Sequence, residues 1–84
     1  MSNELKNKIR VEVHRLLEEN GDVAGIDDSG ELFSSGRLSS FAMMTLVMFL
    51  EQEFNIDFGS IDFDVSLVDT VNAIEALIVE QKGG

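Results

Sequence analysis

The sequence predicts an all-α fold: a small bundle of three principal helices, a minor helical turn before the last one, and a long first loop. Three observations predict it. Apolar residues recur at helical spacing in three separate segments. No alternating run is long enough for a sheet, because Gly59 and Ser60 interrupt the weak alternation of residues 56–63. Gly21, Gly25, Gly30 and Gly36 punctuate the stretch between the first two helical segments, with no proline to stiffen it. At 84 residues the chain makes one domain, near the lower end of what folds alone.

The first helix is expected over about residues 3–19. Ser2 or Asn3 is placed to cap it. Leu5, Ile9, Val13, Leu16 and Leu17 form one buried stripe. Asn20-Gly21 is a stop, since both residues tolerate the left-handed conformation that helix ends use. A loop follows over residues 20–38, pinned to the core by Val23, Ile26, Leu32 and Phe33. A loop of that length in so small a domain points to function. The second helix is expected over residues 39–54, with Leu46, Leu50 and Phe54 inward and Ala42 and Phe49 alongside. Phe41, Met44 and Met48 recur on another face of it. Either this helix is central and packed on several sides, or that face receives a partner, for which the flexible methionine thioether is suited. A short helical turn is expected over residues 60–66. Asp69 or Thr70 caps the last helix, over residues 70–81, with Val71, Ile74, Leu77 and Ile78 inward and the end fraying after it.

Composition narrows the function. A net charge of -10 is unevenly placed: from Leu16 to Gln81 the one cation is Arg37, against fourteen carboxylates. Such a body repels nucleic-acid backbones. It attracts basic protein surfaces, or merely keeps a small domain dissolved. No apolar run is long enough for a membrane-spanning helix, and no signal-peptide layout is present, so a cytoplasmic protein is expected; a monomer is expected as well. Zero cysteines remove any thiol nucleophile or thiolate ligand.

Most site chemistry is missing. His14 has no second histidine and no cysteine, so it is an ordinary surface residue and no metal centre is expected. Asp27, Asp28 and Glu31 miss the spacing of a calcium loop, as do Asp57, Asp62, Asp64 and Asp69; only weak cation binding by clustered carboxylates stays open. Glycine-rich phosphate cradles and a nucleophile elbow are absent. Ser39 and Ser40 remain, at the start of the second helix. One serine suffices as the cap. If Ser39 caps, Ser40 enters the first turn with its hydroxyl free to point outward. A phosphodiester there would lie at the positive end of the helix dipole.

The stretch Leu32-Phe33-Ser34-Ser35-Gly36-Arg37-Leu38-Ser39-Ser40-Phe41, followed by a helix ending Phe49-Leu50-Glu51-Gln52-Glu53-Phe54, resembles the acyl carrier proteins. The likeness extends to the Val68-Asp69-Thr70-Val71-Asn72-Ala73-Ile74 start of the last helix and covers almost the whole chain. It implies a carrier, not an enzyme. Ser40 takes the place of the serine that bears 4'-phosphopantetheine, attached by a phosphopantetheinyl transferase. Phe41, Met44, Met48 and Glu51 match positions that face partner enzymes with basic docking surfaces. The arm would supply the thiol that this sequence lacks, and acyl groups would travel on it as thioesters.

One departure stands out. The family usually has Asp before the modified serine, where it helps the transferase and its metal ion; here Ser39 stands there. That implies less efficient modification or a specialised transferase, although Ser39 caps the helix as well as Asp would. Arg37, beside the site, either leans towards the phosphate or is a solvated loop residue. The G-G-x-S of peptidyl carriers is missing, and the lead-in is closer to stand-alone carriers of specialised pathways, a lead-in that D-alanyl carriers share. An acyl cargo of fatty-acid, lipid or specialised-metabolite synthesis is the reading favoured. An unmodified helical interaction module, with both serines as caps, is the competing one.

Overall fold

Helix α1 spans Asn3–Glu19, α2 spans Ser40–Phe54 and α3 spans Val71–Gly83 in a computed structural model that describes residues 3–83. Two single-turn 3-10 segments, Phe58–Ser60 and Val65–Leu67, lie between α2 and α3. There is no strand among the described residues. The fold is the expected helical bundle.

The three helices close around one core. Ile9, Val13, Leu16 and Leu17 of α1 meet Ala42, Leu46 and Leu50 of α2 and Val71, Ile74, Leu77 and Ile78 of α3. Leu32 and Leu38 from the first loop, with Ile56 and Val68, complete it. Each fully buried aliphatic side chain contributes about 1.5–3 kcal/mol of transfer free energy. The buried members of each helix recur three or four residues apart, so the sequence stripe and the buried face coincide. Phe54, expected inward, is only half-buried; it packs on the core's edge, with its ring 5.9 Å from that of Phe49 in an edge-to-face arrangement.

The helix ends follow from local chemistry. At the end of α1, Gly21 has φ +82°, its amide donates to the Glu18 carbonyl at 2.9 Å, and the Asp22 amide donates to the Leu17 carbonyl at 2.8 Å. These two bonds satisfy carbonyls that the helix would otherwise leave unpaired. Asn55, left-handed at φ 56°, ends α2. Asn3 lies inside α1 rather than before it, and Ser2 is outside the described residues. Thr70 caps α3, accepting from the Ala73 amide at 2.9 Å. The last helix continues to Gly83, past the expected end at 81; Gly84 is outside the described residues.

The short helix expected at residues 60–66 is instead two separate turns, Phe58–Ser60 and Val65–Leu67, that overlap the two ends of that span. Asp57 accepts from the Gly59 amide at 3.0 Å, and Asp64 from the Ser66 amide at 2.9 Å. Each aspartate nucleates a separate turn by bonding to the backbone two residues on, and the backbone between them is extended at Ile61.

The first loop is turn-rich and tethered. The Arg10 guanidinium holds Asp28, whose carbonyl accepts from the Asn72 amide at 3.0 Å and so joins the loop to α3. Ile26 and Phe33 are half-buried and Leu32 fully buried, as expected. Val23 is not a pin: it is 78% exposed. Arg37 does that work. Its guanidinium bonds Asp22 at 2.8 and 3.0 Å and the Gly25 carbonyl at 2.7 Å, folding the loop back on itself. No helix among the described residues is long and apolar enough to cross a membrane.

Candidate functional site

The site is built on the start of α2. Ser39 is extended, at φ -89° and ψ 173°, and its hydroxyl accepts from the Ala42 amide at 3.3 Å. Its carbonyl accepts from the Met43 amide at 3.0 Å, the first bond of the helix. Ser39 is therefore the cap. Ser40 is the first helical residue and is exposed. Among the described residues its hydroxyl has no hydrogen-bond partner. The two adjacent serines thus differ: one hydroxyl is engaged in the fold and the other is free in solvent. The first-turn amides beside it have no intrahelical acceptors and favour negative charge.

Phe41, Met44 and Met48 are 78%, 65% and 53% exposed. They continue from Ser40 along one face of α2, and Glu51, also exposed, extends that face by one more turn. All four residues that the sequence singled out on this helix lie on the same side as one another and away from the core. So the second face of α2 is not packed inside the fold.

Beside this face runs an apolar groove of about 320 Å³, lined by Met43, Met44, Val47, Met48, Phe58 and Phe63. Sequence reasoning had not singled out Phe58 and Phe63. Their rings meet edge to face, 5.8 Å apart, and form the wall opposite α2. The only signal was two phenylalanines in a segment rich in Asp and Gly, which does not say where they point. The residues present offer an exposed hydroxyl, a helix start and an apolar trough next to it.

Arg37 does not face Ser40. Bound to Asp22 and the Gly25 carbonyl, with its side chain 26% exposed, it is neither a solvated loop residue nor a cation leaning on the site. The same guanidinium, with the Ala24 amide, holds the Asp22 carboxyl down at about 2. His14 is a surface residue, 3.2 Å from Glu18. Among the described residues no group of three or more His, Asp or Glu side chains is placed to hold a metal ion.

One of the two residues offered as the cap of the last helix acts elsewhere. Asp69 is buried, and its carboxylate receives the amides of Leu32, Phe33 and Ser34 at 3.2, 2.6 and 3.1 Å and the Ser34 hydroxyl. Burial pushes this carboxyl up, but the Ser34 hydroxyl and the Phe33, Ser34 and Leu32 amides together outweigh it and hold it below the usual carboxylate range. No sequence spacing signals this contact, which joins segments more than thirty residues apart.

The fold and site define a small helical domain that presents one free serine hydroxyl beside an exposed apolar face. Comparison with protein-family models, with curated proteins and with solved structures finds no match.

Proposed function

We propose that this protein is an acyl carrier: a covalent 4'-phosphopantetheine on Ser40 holds acyl groups as thioesters, and partner enzymes load and unload them. The observation that carries this reading is the division of labour between the two serines. Ser39 is consumed by the cap, while Ser40 is exposed at the helix start with no partner for its hydroxyl. The residues fit the group. A phosphodiester on Ser40 would be attached at the helix start, where the dipole favours negative charge, and a protein with no cysteine would borrow its sulfur from the arm.

Attachment is a transfer from coenzyme A. The Ser40 oxygen forms a bond to the phosphorus on the pantetheine side, the pyrophosphate bond breaks, and the adenosine bisphosphate half leaves. The serine proton goes to a base that the transferase supplies, since no histidine or unpaired basic group of this chain is described at Ser40. Phe41, Met44 and Met48 give a partner an apolar footing, and Glu51 with the acidic body steers basic enzyme surfaces to it. The carrier is not a catalyst in this reading.

Intact-mass measurement with coenzyme A and a broad-specificity phosphopantetheinyl transferase tests it. Wild-type protein gains one arm's mass, Ser39→Ala still gains it, and Ser40→Ala does not. Addition that survives Ser40→Ala and is lost in Ser39→Ala moves the site. Wild-type protein that gains nothing ends the carrier reading. The mass of protein from its native host then reads the cargo, an acyl group in this proposal and an aminoacyl group if the chain serves a D-alanyl-type pathway.

The exposure of Phe41, Met44 and Met48 supports a second reading as an unmodified interaction module. A stable complex formed without any arm, and indifferent to Ser40→Ala, separates the two.

A further inference from the structure

We propose that Asp69 is a positioning residue for the Ser40 hydroxyl, acting through the loop that leads into α2. The proposal rests on the carrier reading and adds to it a residue outside α2 that sets how the serine is presented.

Three successive amides, those of Leu32, Phe33 and Ser34, converge on one oxygen of Asp69, and the Ser34 hydroxyl donates to the other. Successive amides that turn to a common point form a concave anion site. Here the anion is the chain's own carboxylate. The backbone of Asp69 joins the same contact, its carbonyl accepting from the Leu32 amide at 2.7 Å. The segment that precedes α3 therefore holds the loop at four donor groups on three residues.

The constraint passes directly to the helix start. The Leu32 carbonyl accepts from the Leu38 amide at 2.8 Å, closing the loop immediately before the cap. Within the closure the Gly36 amide donates to the Phe33 carbonyl at 3.0 Å, with Gly36 at φ +86°, a left-handed conformation that side chains resist. Leu38 is buried in the core, Ser39 follows it as the cap, and Ser40 follows that. On the other side the Asn20 side-chain amide donates to the Arg37 carbonyl at 3.0 Å. Between Asp69 and Ser40 lies one hydrogen-bonded loop. If the carboxylate charge that holds the three amides is removed, the lead-in loosens and the cap loosens with it, while the exposed face of α2 stays as it was.

That split is what the experiment reads. Initial rates of arm attachment by a phosphopantetheinyl transferase with coenzyme A are measured against carrier concentration for wild type, Asp69→Asn, Ser34→Ala and Ile78→Val. The last is a core change in α3, matched to the others by thermal denaturation. Asn leaves one acceptor oxygen, removes the charge, and turns an N–H towards the Ser34 hydroxyl. Asp69→Asn is expected to lower kcat by about tenfold with KM nearly constant, because a displaced nucleophile slows the chemical step while docking persists. Ser34→Ala moves kcat in the same direction by less. Ile78→Val leaves both constants near wild type. Amide hydrogen exchange at Phe33 and Ser34 quickens in Asp69→Asn and not in Ile78→Val.

Asp69→Asn kinetics equal to those of Ile78→Val, or exchange at Phe33 and Ser34 unchanged, overturns the proposal while the carrier reading stands. Wild-type protein that accepts no arm overturns both. Should Asp69→Asn fail to fold, Ser34→Ala, an exposed change that removes one donor, decides the matter by the same kcat and exchange criteria.

Discussion

The hydroxyl of Ser34 and the carboxylate of Asp69 are hydrogen-bonded across thirty-five residues of chain, joining the first loop to the threshold of α3. The bond completes a set in which one carboxylate satisfies the amides of Leu32, Phe33 and Ser34. Removing the acceptor leaves the Leu32 amide with only the Asp69 carbonyl and strands the other two. Asp69→Ala is expected to cost about 2–3 kcal/mol, the range for hydrogen bonds to a charged group with an orphaned amide added. Urea denaturation monitored by circular dichroism measures it. A loss no larger than that of an exposed Asp62→Ala would show that the loop holds its shape without the carboxylate.

Acid should unclasp the same loop at a second point. The Arg37 guanidinium and the Ala24 amide hold the Asp22 carboxyl at about 2, against an ordinary value of 3.8. A lowered folded-state value means stability present above the ordinary value and lost as pH falls through the folded one. The difference in stability between wild type and Asp22→Asn should therefore be constant at neutral pH. It should shrink from about pH 4 downward, be mostly lost by about pH 2 and vanish below that. Denaturant midpoints across that window check it. A difference that is undiminished at pH 2, or that fades instead near neutrality, contradicts the assignment.

The core prediction separates two residues that the sequence treated alike. Leu46 is fully buried, whereas Phe54 sits half-buried at the end of α2. Leu46→Ala should cost about 2–5 kcal/mol, from lost transfer energy and the cavity left behind. Phe54→Ala should cost less, since the side chain is already half in solvent, which relaxes into the gap where its edge-to-face ring contact and its contact with the core's rim are lost. Of a total stability of around 5 kcal/mol for so small a domain, the first loss is close to unfolding. Equal losses at the two positions would refute the ranking.

Salt should stabilise the protein. The net charge of -10 lies on a domain whose radius of gyration is 12.0 Å, so unscreened carboxylates repel one another at close range. The exposed pair of Arg15 with Glu19 weakens with salt but is of small value, and the partly buried pairs of Lys6 with Glu75 and Arg15 with Glu12 are screened less. The repulsion among the remaining carboxylates is the larger quantity. Raising sodium chloride from low to physiological strength and beyond is expected to raise Tm steadily. A Tm that falls with salt would mean that the ion pairs outweigh the repulsion.

The three helices, their buried stripes, the cap at Ser39 and the exposed serine next to it were legible in the sequence. Each depends on residues within one or two turns of each other, where spacing fixes which side chains share a face. Phe41, Met44 and Met48 could be grouped on one face for the same reason, while Glu51 was singled out by the family resemblance alone. Whether that face was buried could not be read, because a helix apolar on two sides is compatible with a central position as well as with an open one. Only the packing of α1 and α3 on the opposite side left it exposed. The groove wall at Phe58 and Phe63, the clasp of Arg37 on Asp22 and Gly25, the exposure of Val23, and the bonds from Asp69 to residues 32–34 were likewise decided by the tertiary structure. Those contacts join segments far apart in the chain. Local periodicity carries no information about which polar group will meet which amide once the helices have closed around the core.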